Sequence, residues 1–383
     1  MKAESPSRAL DWLDEESRRR SVAGLHRVLR PRTPEVPVLD LASNDYLGLS
    51  RHPEVIAGAR RSLERCGAGA TGSRLVTGTL DEHDALEREL AQFCGQPSAL
   101  VFSSGYMANL GLVTALSGRG ALVVSDAGSH ASLIDACRLS RARVVVTPRG
   151  DVDAVAEALK SRAEPRAVVL TDSVYSIDGA LAPVAELHAA AREHGAVLVV
   201  DEAHGFGVRG AGGRGYVHEL GLAGQEDLVV SATLSKALGA QGGVVFSSPR
   251  VRAHLVDTAR SFIFDTALAP PMVGAARAAL SVLQREPERA ARVLNVASQL
   301  AAATDAAAPE SAVVSVVLGA PERAVAARDA ARDRGLEVGC FRPPSVPAGT
   351  SRLRLTARAD LSDAEVSRAA LILRDIVEEY SHL

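Results

Sequence analysis

The stretch AVLVVDEAHG, residues 196–205, is an apolar run that ends in Asp201 and carries His204 three positions later. A short strand that is apolar on both faces is typical of a parallel sheet covered by helices. In open α/β sheets, ligands bind beyond the C-terminal ends of such strands. The stretch therefore predicts a buried parallel strand with two titratable side chains at its ligand-binding end.

Further β-branched runs of this kind recur between about residues 47 and 264, separated by Ala-, Leu- and Arg-rich helical patterns such as Asp151–Ala163 and Val184–His194. This alternation predicts an α/β fold, a large domain with a mostly parallel sheet covered by helices. Together with Ala196–Val200, the predicted strands are Ala99–Phe102, Ala121–Ser125, Arg143–Thr147, Ala167–Thr171, Leu228–Ser231 and Gly243–Phe246.

The two ends of the chain have different patterns. Residues up to about Val38 predict an amphipathic helix and a Pro-rich connector, Pro31–Pro37, before a short strand, Val38–Ala42. After Pro270-Pro271 the pattern predicts a smaller α/β domain. Its elements are a helical region to about Ala303, a strand Ala312–Leu318, a helix Pro321–Arg334, further strands and a final helix Asp363–Tyr380. We therefore predict three parts, residues 1–46, 47–268 and 269–383.

Composition excludes several classes of protein. The 383 residues are 47% hydrophobic and 23% charged, with a net charge of −3, which gives no basic field to attract nucleic acid or an anionic membrane. No apolar run is long enough to span a bilayer, and the polar segment Met1–Arg20 predicts no secretory signal. The four cysteines are scattered, which argues against a disulfide framework or a metal site and favours the cytoplasm.

Lysine is rare in this chain, which has only Lys2, Lys160 and Lys236. A lysine can form an imine with a carbonyl compound and an arginine cannot, so covalent amine chemistry has few candidates. Lys160 lies in a charged helical pattern and is interpreted as a surface residue. Lys236 follows a predicted strand and precedes a glycine-rich turn, Gly239 to Gly243, although a lysine in a surface loop explains this position alone about as well.

The residues at 201 and 204 suit the cofactor pyridoxal 5'-phosphate (PLP), which needs a carboxylate against its pyridine nitrogen. Asp201 at a strand end has that charge, and His204 could hydrogen-bond the phenolic oxygen of the cofactor. An Asp that caps a turn is the simpler alternative. A nucleotide-binding α/β protein is a weaker one, because no GxxxxGK[ST] loop accompanies the DEAH string.

A phosphate site is predicted at Ser103-Ser104-Gly105-Tyr106, which precedes a helical pattern from Met107 to Leu116. Free backbone N–H groups and the dipole at a helix N-terminus favour an anion, and Thr233 offers a second hydroxyl. An ordinary serine N-cap explains the motif equally well when it is taken alone.

Three more candidates follow predicted strands. His130 could stack on the cofactor ring, and Ser176 could share the phenolic oxygen with His204. In the alternating segment Ser351–Leu355, Arg352 and Arg354 would share one face of a strand, where an arginine could clamp a carboxylate. A polar loop and an exposed strand face are the respective alternatives.

Four motifs resemble one known family. They are SNDYLGL at 43–49, the DEAHGFGVRGAGGRG run from Asp201, TLSKALG around Lys236, and RPPSVPAGTSRLRL at 342–355. In order and spacing they resemble the α-oxoamine synthases, PLP enzymes of the aspartate-aminotransferase fold type. The resemblance extends from about Asp40 to the C-terminal helix.

The resemblance implies a role for each matching residue and a homodimer with shared active sites. Lys236 would hold PLP as an imine and move protons, with His130, Asp201 and His204 as the other catalytic residues. Thr266 would contact the phosphate across the dimer interface. The implied cofactor-binding set is Ser104, Gly105, Tyr106, His130, Ser176, Asp201, His204, Thr233, Lys236 and Thr266. The predicted substrate-binding set is Asn44, Arg354 and Arg20. Arg20 lies in the basic segment Arg18–Arg20, which is interpreted as a solvated helix face or at most a local anion site.

The implied reaction is a decarboxylative condensation of an amino acid with an acyl thioester. The motifs favour the branch of the family that serves biotin biosynthesis, with L-alanine and a pimeloyl thioester, on CoA or a carrier protein, as substrates. Glycine with acetyl-CoA or with succinyl-CoA stays an alternative, as does a binding protein that has lost catalysis. One departure is Asp172, where some relatives have Glu.

Overall fold

The computed structural model describes residues 8–33 and 38–381. Elements are numbered here in chain order. The strands are β1 Leu39–Leu41, β2 Ser98–Phe102, β3 Ala121–Asp126, β4 Arg143–Thr147, β5 Arg166–Asp172, β6 Val197–Asp201, β7 Leu228–Thr233, β8 Gly243–Ser247, β9 Val313–Gly319, β10 Leu336–Phe341 and β11 Ser351–Thr356.

The helices cover the sheets and connect their strands. They are α1 Trp12–Val22, α2 Pro53–Cys66, α3 Asp81–Phe93, α4 Gly105–Leu116, α5 Ala131–Ser140, α6 Val152–Lys160, α7 Val184–Glu193, α8 Tyr216–Glu219, α9 Pro249–Thr258, α10 Arg260–Ile263, α11 Pro270–Arg285, α12 Glu288–Ala303, α13 Pro321–Asp333 and α14 Asp363–Ser381. Short 3₁₀ turns lie at Arg8–Leu10 and Ala211–Gly213.

A seven-stranded sheet in the order β2-β8-β7-β6-β5-β3-β4 forms the centre of the molecule. The predicted α/β fold with a mostly parallel sheet is confirmed, and every predicted strand of this region is present within two residues of its expected ends. The strand predicted at Gly243–Phe246 runs antiparallel to both of its neighbours. As a consequence, β2 points the same way as the parallel strands, and its C-terminal end reaches the same edge of the sheet.

Burial follows from the composition of the strands. Every residue of β3, β7 and β8 is buried, as expected for strands with helices on both faces. At the sheet edge, β4 exposes Val144 and Val146 although its sequence is equally apolar. Position in the sheet, rather than composition, therefore decides which of these strands is covered within this chain.

A second, four-stranded sheet has the order β1-β10-β11-β9. Here β1, from the N-terminal part of the chain, pairs in parallel with β10, which lies about 300 residues later. The other pairs are antiparallel. This arrangement carries the residues just after β1 to the C-terminal strands. The division into parts 1–46, 47–268 and 269–383 stays a prediction.

The N-terminal helix differs from its prediction. Helix α1 buries none of its residues, so the expected amphipathic character is wrong for the chain on its own. Its apolar residues Trp12, Leu13 and Val22 are exposed because they are spread around the helix and not gathered on one face. Of the Pro31–Pro37 connector, residues 34–37 lie outside the described residues, as does Lys2.

Two features are absent from residues 8–33 and 38–381. No helix among them is long and apolar enough to cross a membrane. Within the same ranges, no group of three or more His, Cys, Asp or Glu side chains is arranged to hold a metal ion. All four cysteines are free thiols.

Candidate active site

The predicted site residues converge at one edge of the seven-stranded sheet. Strand β6 ends in Asp201 and β7 ends in Thr233, three residues before Lys236. Strand β5 ends in Asp172 and β2 leads into the N-terminus of α4. Because these strands point the same way, side chains that are far apart in sequence come together beyond their C-terminal ends.

Lys236 lies against His204 at this edge. The distance from Lys236 Nζ to His204 Nε2 is 2.9 Å, and His204 Nδ1 lies 2.5 Å from the hydroxyl of Tyr46. The imidazole of His204 is 5% exposed and Tyr46 is fully buried. The amine is therefore held in a fixed position by a buried ring, as covalent amine chemistry requires.

Asp201 is held by an amide. Asn109 Nδ2 donates to Asp201 Oδ2 at 2.7 Å, and the backbone N–H of Ala203 donates to Asp201 Oδ1 at 2.8 Å. Asn109 also donates to Ser132 Oγ and accepts from Ser231 Oγ. This network fixes the carboxylate at the end of β6 and leaves it lone pairs for a further donor.

His130 caps helix α5 and belongs to the same network. Its Nδ1 lies 2.8 Å from Ser132 Oγ, and its backbone N–H donates to Asp172 Oδ1 at 3.1 Å. His130 as a whole is exposed to solvent. Partial burial lowers the pKa of His130, the Asp201 carboxylate raises it, and the nearby Lys236 lowers it further. A neutral ring with a free face suits stacking on a planar ligand.

Arg354 is a buried guanidinium with spare donor capacity. Both of its terminal nitrogens donate to Asn44 Oδ1, at 3.1 Å each, and the guanidinium lies over the ring of Phe341. Within the described part of the chain its buried Nε has no hydrogen-bond partner. A buried donor without a partner is costly, and an anionic ligand such as a carboxylate would satisfy it.

The start of helix α4 forms a narrow cradle with β7 and β8. Ser104 caps the helix by accepting from Met107 N–H at 3.2 Å. A Cβ added to Gly105 would lie 3.0 Å from Thr233 Cβ, and one added to Gly243 would lie 2.3 Å from Ser104 O. The backbone therefore requires glycine at position 243, and a side chain at position 105 would crowd Thr233. The N-terminus of the helix offers backbone N–H groups to an anion, while the Thr233 hydroxyl donates to Gly242 O at 3.0 Å and lies 2.7 Å from Ser235 Oγ.

Four predicted residues make no hydrogen bond to Lys236 or His204 among the described residues. Ser176 is partly buried in the turn after β5, and no hydrogen bond among the described residues joins it to His204. Tyr106 is partly exposed, and its hydroxyl donates to Asp135. Thr266 is exposed beside Asp265, which accepts from Ser103. Arg20 is exposed on α1 and pairs with Glu16. Their roles stay predictions.

Burial sets the protonation states of the site. It lowers the pKa of Lys236 to about 8, with the Asp201 carboxylate opposing the shift and Arg354 adding to it. It lowers the pKa of His204 well below its ordinary value, and Lys236 adds to that effect. It also raises the pKa of Asp172 well above its ordinary value, with the charge of Asp201 acting in the same direction. An amine with a pKa of about 8 can gain and lose a proton near neutral pH.

Three residues that hold the site together have no role predicted from their sequence pattern: Tyr46, Asn109 and Ser132. Asn109 gives a local signal, because it is a buried polar residue in the otherwise apolar helix α4. Tyr46 lies inside the SNDYLGL motif, but its contact with His204 spans 158 residues of sequence. That contact could be found only in the folded chain.

Comparison with known proteins identifies the family. A model of the family "aminotransferase class I and II" matches residues 36–373. The chain belongs to this family. The 8-amino-7-oxononanoate synthase of Mycolicibacterium vanbaalenii is 64% identical over 369 residues, 96% of this chain and 97% of that protein. The 8-amino-7-oxononanoate synthase 1 of Mycobacterium tuberculosis is 63% identical over 382 residues, 98% of this chain and 99% of that one.

Solved structures of family members share the whole fold. A serine palmitoyltransferase from S. paucimobilis, solved with bound PLP and myriocin, has a TM-score of 0.90 and 31% identity, covering 99% of this chain and 100% of the other. The 8-amino-7-oxononanoate synthase of Francisella tularensis has a TM-score of 0.76 and 26% identity, covering 90% and 99%. These relatives place the chain among the α-oxoamine synthases, as its motifs indicated, and confirm the fold type.

Proposed function

We propose that this chain is a PLP-dependent 8-amino-7-oxononanoate synthase. It joins L-alanine to a pimeloyl thioester and releases carbon dioxide and the free thiol, a step of biotin biosynthesis. The observation that carries the proposal is the cluster at the sheet edge, where the Lys236 amine lies beside His204 and close to the Asp201 charge. The identity of 63–64% to synthases of this name, over nearly the whole chain, supports the choice of substrates.

The residues of the site fit PLP. Ser104 and Gly105 begin helix α4, whose N-terminal backbone N–H groups suit a phosphate, and Gly105 packs closely against Thr233. Asp201 has a carboxylate oxygen suited to a pyridinium N–H, and Lys236 offers the amine for an imine. When bound, PLP would supply an electron sink for negative charge on the α-carbon of the amino acid. Structural relatives with PLP bound support this assignment.

The side chains around the cofactor would have different roles in the reaction. Arg354 would bind the carboxylate of alanine through Nε, which lacks a partner among the described residues, while Asn44 holds its terminal nitrogens. Such positioning would set the α-carbon bond that breaks at the correct angle to the ring. Lys236 Nζ would accept and return a proton, because its pKa of about 8 allows both states. His130 would cover one face of the ring.

We also propose a homodimer with shared sites, in the cytoplasm. Phe264 is 70% exposed and Val76 is 78% exposed, both in loops, and a second copy of the chain would cover them. In that arrangement Thr266, which is exposed in the same loop as Phe264, would reach the phosphate of the partner's site. Four free thiols favour a reducing compartment.

The test is an assay of thiol release by the purified, PLP-loaded protein. L-alanine with pimeloyl-CoA is compared with glycine plus acetyl-CoA and with glycine plus succinyl-CoA, and the amino-ketone product is identified by mass. Rapid release with alanine and pimeloyl-CoA, at least about tenfold above the other pairs, is the expected result. A preference for glycine would contradict the proposed substrates but leave the Lys236 chemistry in place. Pimeloyl carrier protein in place of CoA then identifies the preferred donor.

A further inference from the structure

A chain of hydrogen bonds links Lys236 to Arg354 through residues from three distant segments. Lys236 Nζ contacts His204 Nε2 at 2.9 Å, and His204 Nδ1 contacts the Tyr46 hydroxyl at 2.5 Å. The Tyr46 hydroxyl in turn lies 3.3 Å from Asn44 Oδ1, which accepts from both terminal nitrogens of Arg354. Tyr46 is the central member and is fully buried.

The chemistry of the end groups fixes the direction of these bonds. A lysine ammonium only donates, so His204 Nε2 accepts from it. Burial and the neighbouring cations keep the pKa of His204 well below its ordinary value, so the ring is neutral and its single proton lies on Nδ1. Nδ1–H then donates to the Tyr46 oxygen, and the Tyr46 O–H donates to Asn44 Oδ1. Burial raises the pKa of Tyr46 to about 12, so this hydroxyl keeps its proton.

We propose that Tyr46 is a positioning residue for the reaction. Its hydroxyl holds the His204 ring in place and, while the Lys236 amine is free, keeps the ring proton on Nδ1, so that an unprotonated Nε2 faces the amine. It also ties His204 to the Asn44–Arg354 pair, which is predicted to bind the substrate carboxylate. The kinetic consequence of this inference rests on the proposed function. The hydrogen-bond arrangement is independent of it.

The surroundings of His204 offer no substitute for this hydroxyl. The charged groups acting on its ring are Lys236, Arg354 and His130, and each of them lowers its pKa. Asp201 and Asp172 act on Lys236. Without the Tyr46 oxygen, a buried Nδ1–H would find no acceptor in Lys236 or Arg354, which only donate, and a buried donor without a partner is unfavourable. The ring proton would then move to Nε2, facing the amine.

Histidine nitrogen resonances test the proposal directly. Wild-type protein and Tyr46→Phe are labelled with ¹⁵N-histidine, freed of cofactor and compared near neutral pH. The His204 signals are those that disappear in a His204→Asn sample. In the wild-type protein we expect Nδ1 to carry the proton and Nε2 to be unprotonated. In Tyr46→Phe the Nδ1 signal should move towards that of an unprotonated nitrogen, and the Nε2 signal towards that of a protonated one. A wild-type ring protonated on Nε2, or unchanged signals in Tyr46→Phe, would overturn the proposal.

Tyr175→Phe is the matched control. Tyr175 is also buried, and its hydroxyl donates to Asp126 Oδ2 at 2.6 Å, outside this chain of bonds. Its loss should leave the His204 signals in place. If Tyr46→Phe does not fold, the wild-type assignment alone still decides whether Nδ1 carries the proton.

Kinetics separate this proposal from the proposed function. In the PLP-loaded protein Tyr46→Phe should lower kcat about tenfold, the effect of one buried hydrogen bond, and change KM for alanine less than about twofold. A tenfold rise of KM with unchanged kcat would contradict a role in positioning His204. Absence of thiol release by the wild-type protein, with the expected His204 signals, would refute the proposed function and leave the assigned hydrogen bonds standing.

Discussion

Two clusters of buried charge in this chain differ in how fully their polar atoms are paired. The Arg74 cluster consists of Arg74, Glu87 and Arg252 and joins α3 to β2 and α9. Arg74 donates to Glu87, Thr79 and Val101 O, and Glu87 also accepts from Val101 N–H and Arg252. Every charged group of this cluster has partners, as a buried ion pair needs if it is to hold a fold together.

The cluster at the sheet edge is paired less completely. Of the described residues, Arg354 Nε and the hydroxyls of Ser129 and Ser173 are buried without a partner, and the two serines adjoin His130 and Asp172. Native proteins leave few such groups, and three of the six buried side-chain atoms without a partner among the described residues belong to, or adjoin, residues of this cluster, as expected of a site that receives a ligand. Pairing, more than burial or charge, distinguishes the cluster that supports the fold from the one that performs chemistry.

Removal of the Lys236 amine should have the largest effect on turnover. Lys236→Ala should lower turnover by at least about 1,000-fold, because no other described lysine lies at the sheet edge. The measurement is thiol release per folded protein. Lys160→Ala is the control, since Lys160 is exposed in the last turn of α6. Turnover near the wild-type rate in Lys236→Ala would exclude the proposed chemistry.

The Arg74 cluster should respond in stability instead. Glu87→Gln leaves Arg74 and Arg252 without their buried counter-charge and should reduce the free energy of unfolding by about 3–5 kcal/mol, measured by urea titration. Turnover of the folded fraction should stay at the wild-type level. Glu89→Gln, on the same helix, breaks a partly exposed pair with Arg277 and should cost less than about 1 kcal/mol. Equal losses of unfolding free energy in Glu87→Gln and Glu89→Gln would show that the Arg74 cluster stabilises the fold no more than a partly exposed ion pair does.

Asp201→Asn tests the charge of the site at nearly constant shape. The amide cannot stabilise a protonated pyridine nitrogen as a carboxylate does, so turnover should fall about 100-fold while the fold is kept. Turnover and the visible absorption of bound cofactor are measured together. A rate within about twofold of wild type would show that Asp201 only caps the turn after β6.

The smallest expected effect is a pH dependence of stability. Because the folded chain lowers the pKa of Lys236 to about 8, above that pH the folded state releases a proton that the unfolded chain keeps. The stability contributed by Lys236 should therefore increase with pH between 8 and the pKa of this lysine in the unfolded chain. It should be lost as the pH falls through 8. Relative to Lys236→Met, the cofactor-free wild type should gain about 2 kcal/mol between about pH 8 and 9.5. If the difference in unfolding free energy between the wild type and Lys236→Met does not change with pH, the Lys236 amine is not desolvated.

The sequence predicted the parts of this comparison that depend on local pattern. Buried β-branched runs located the strands, and residues at their ends located Lys236, Asp201 and His204 near one another. It did not predict the direction of β8 or the exposure of α1, which depend on how elements meet. Nor did it separate Arg74 and Glu87 from functional charges, because pairing arises only when α3 packs against β2.

The contact between Asn44 and Arg354 joins residues that are 310 positions apart. During synthesis, Arg354 and the more than 300 residues that separate it from Asn44 must leave the ribosome before this pair can form. Closing so long a loop costs conformational entropy that earlier contacts must already have offset. A truncated or stalled chain could thus build the central sheet and expose Lys236, yet lack the group proposed to hold the amino acid. Competence for the reaction would arrive last, which keeps incomplete chains from turning over substrate.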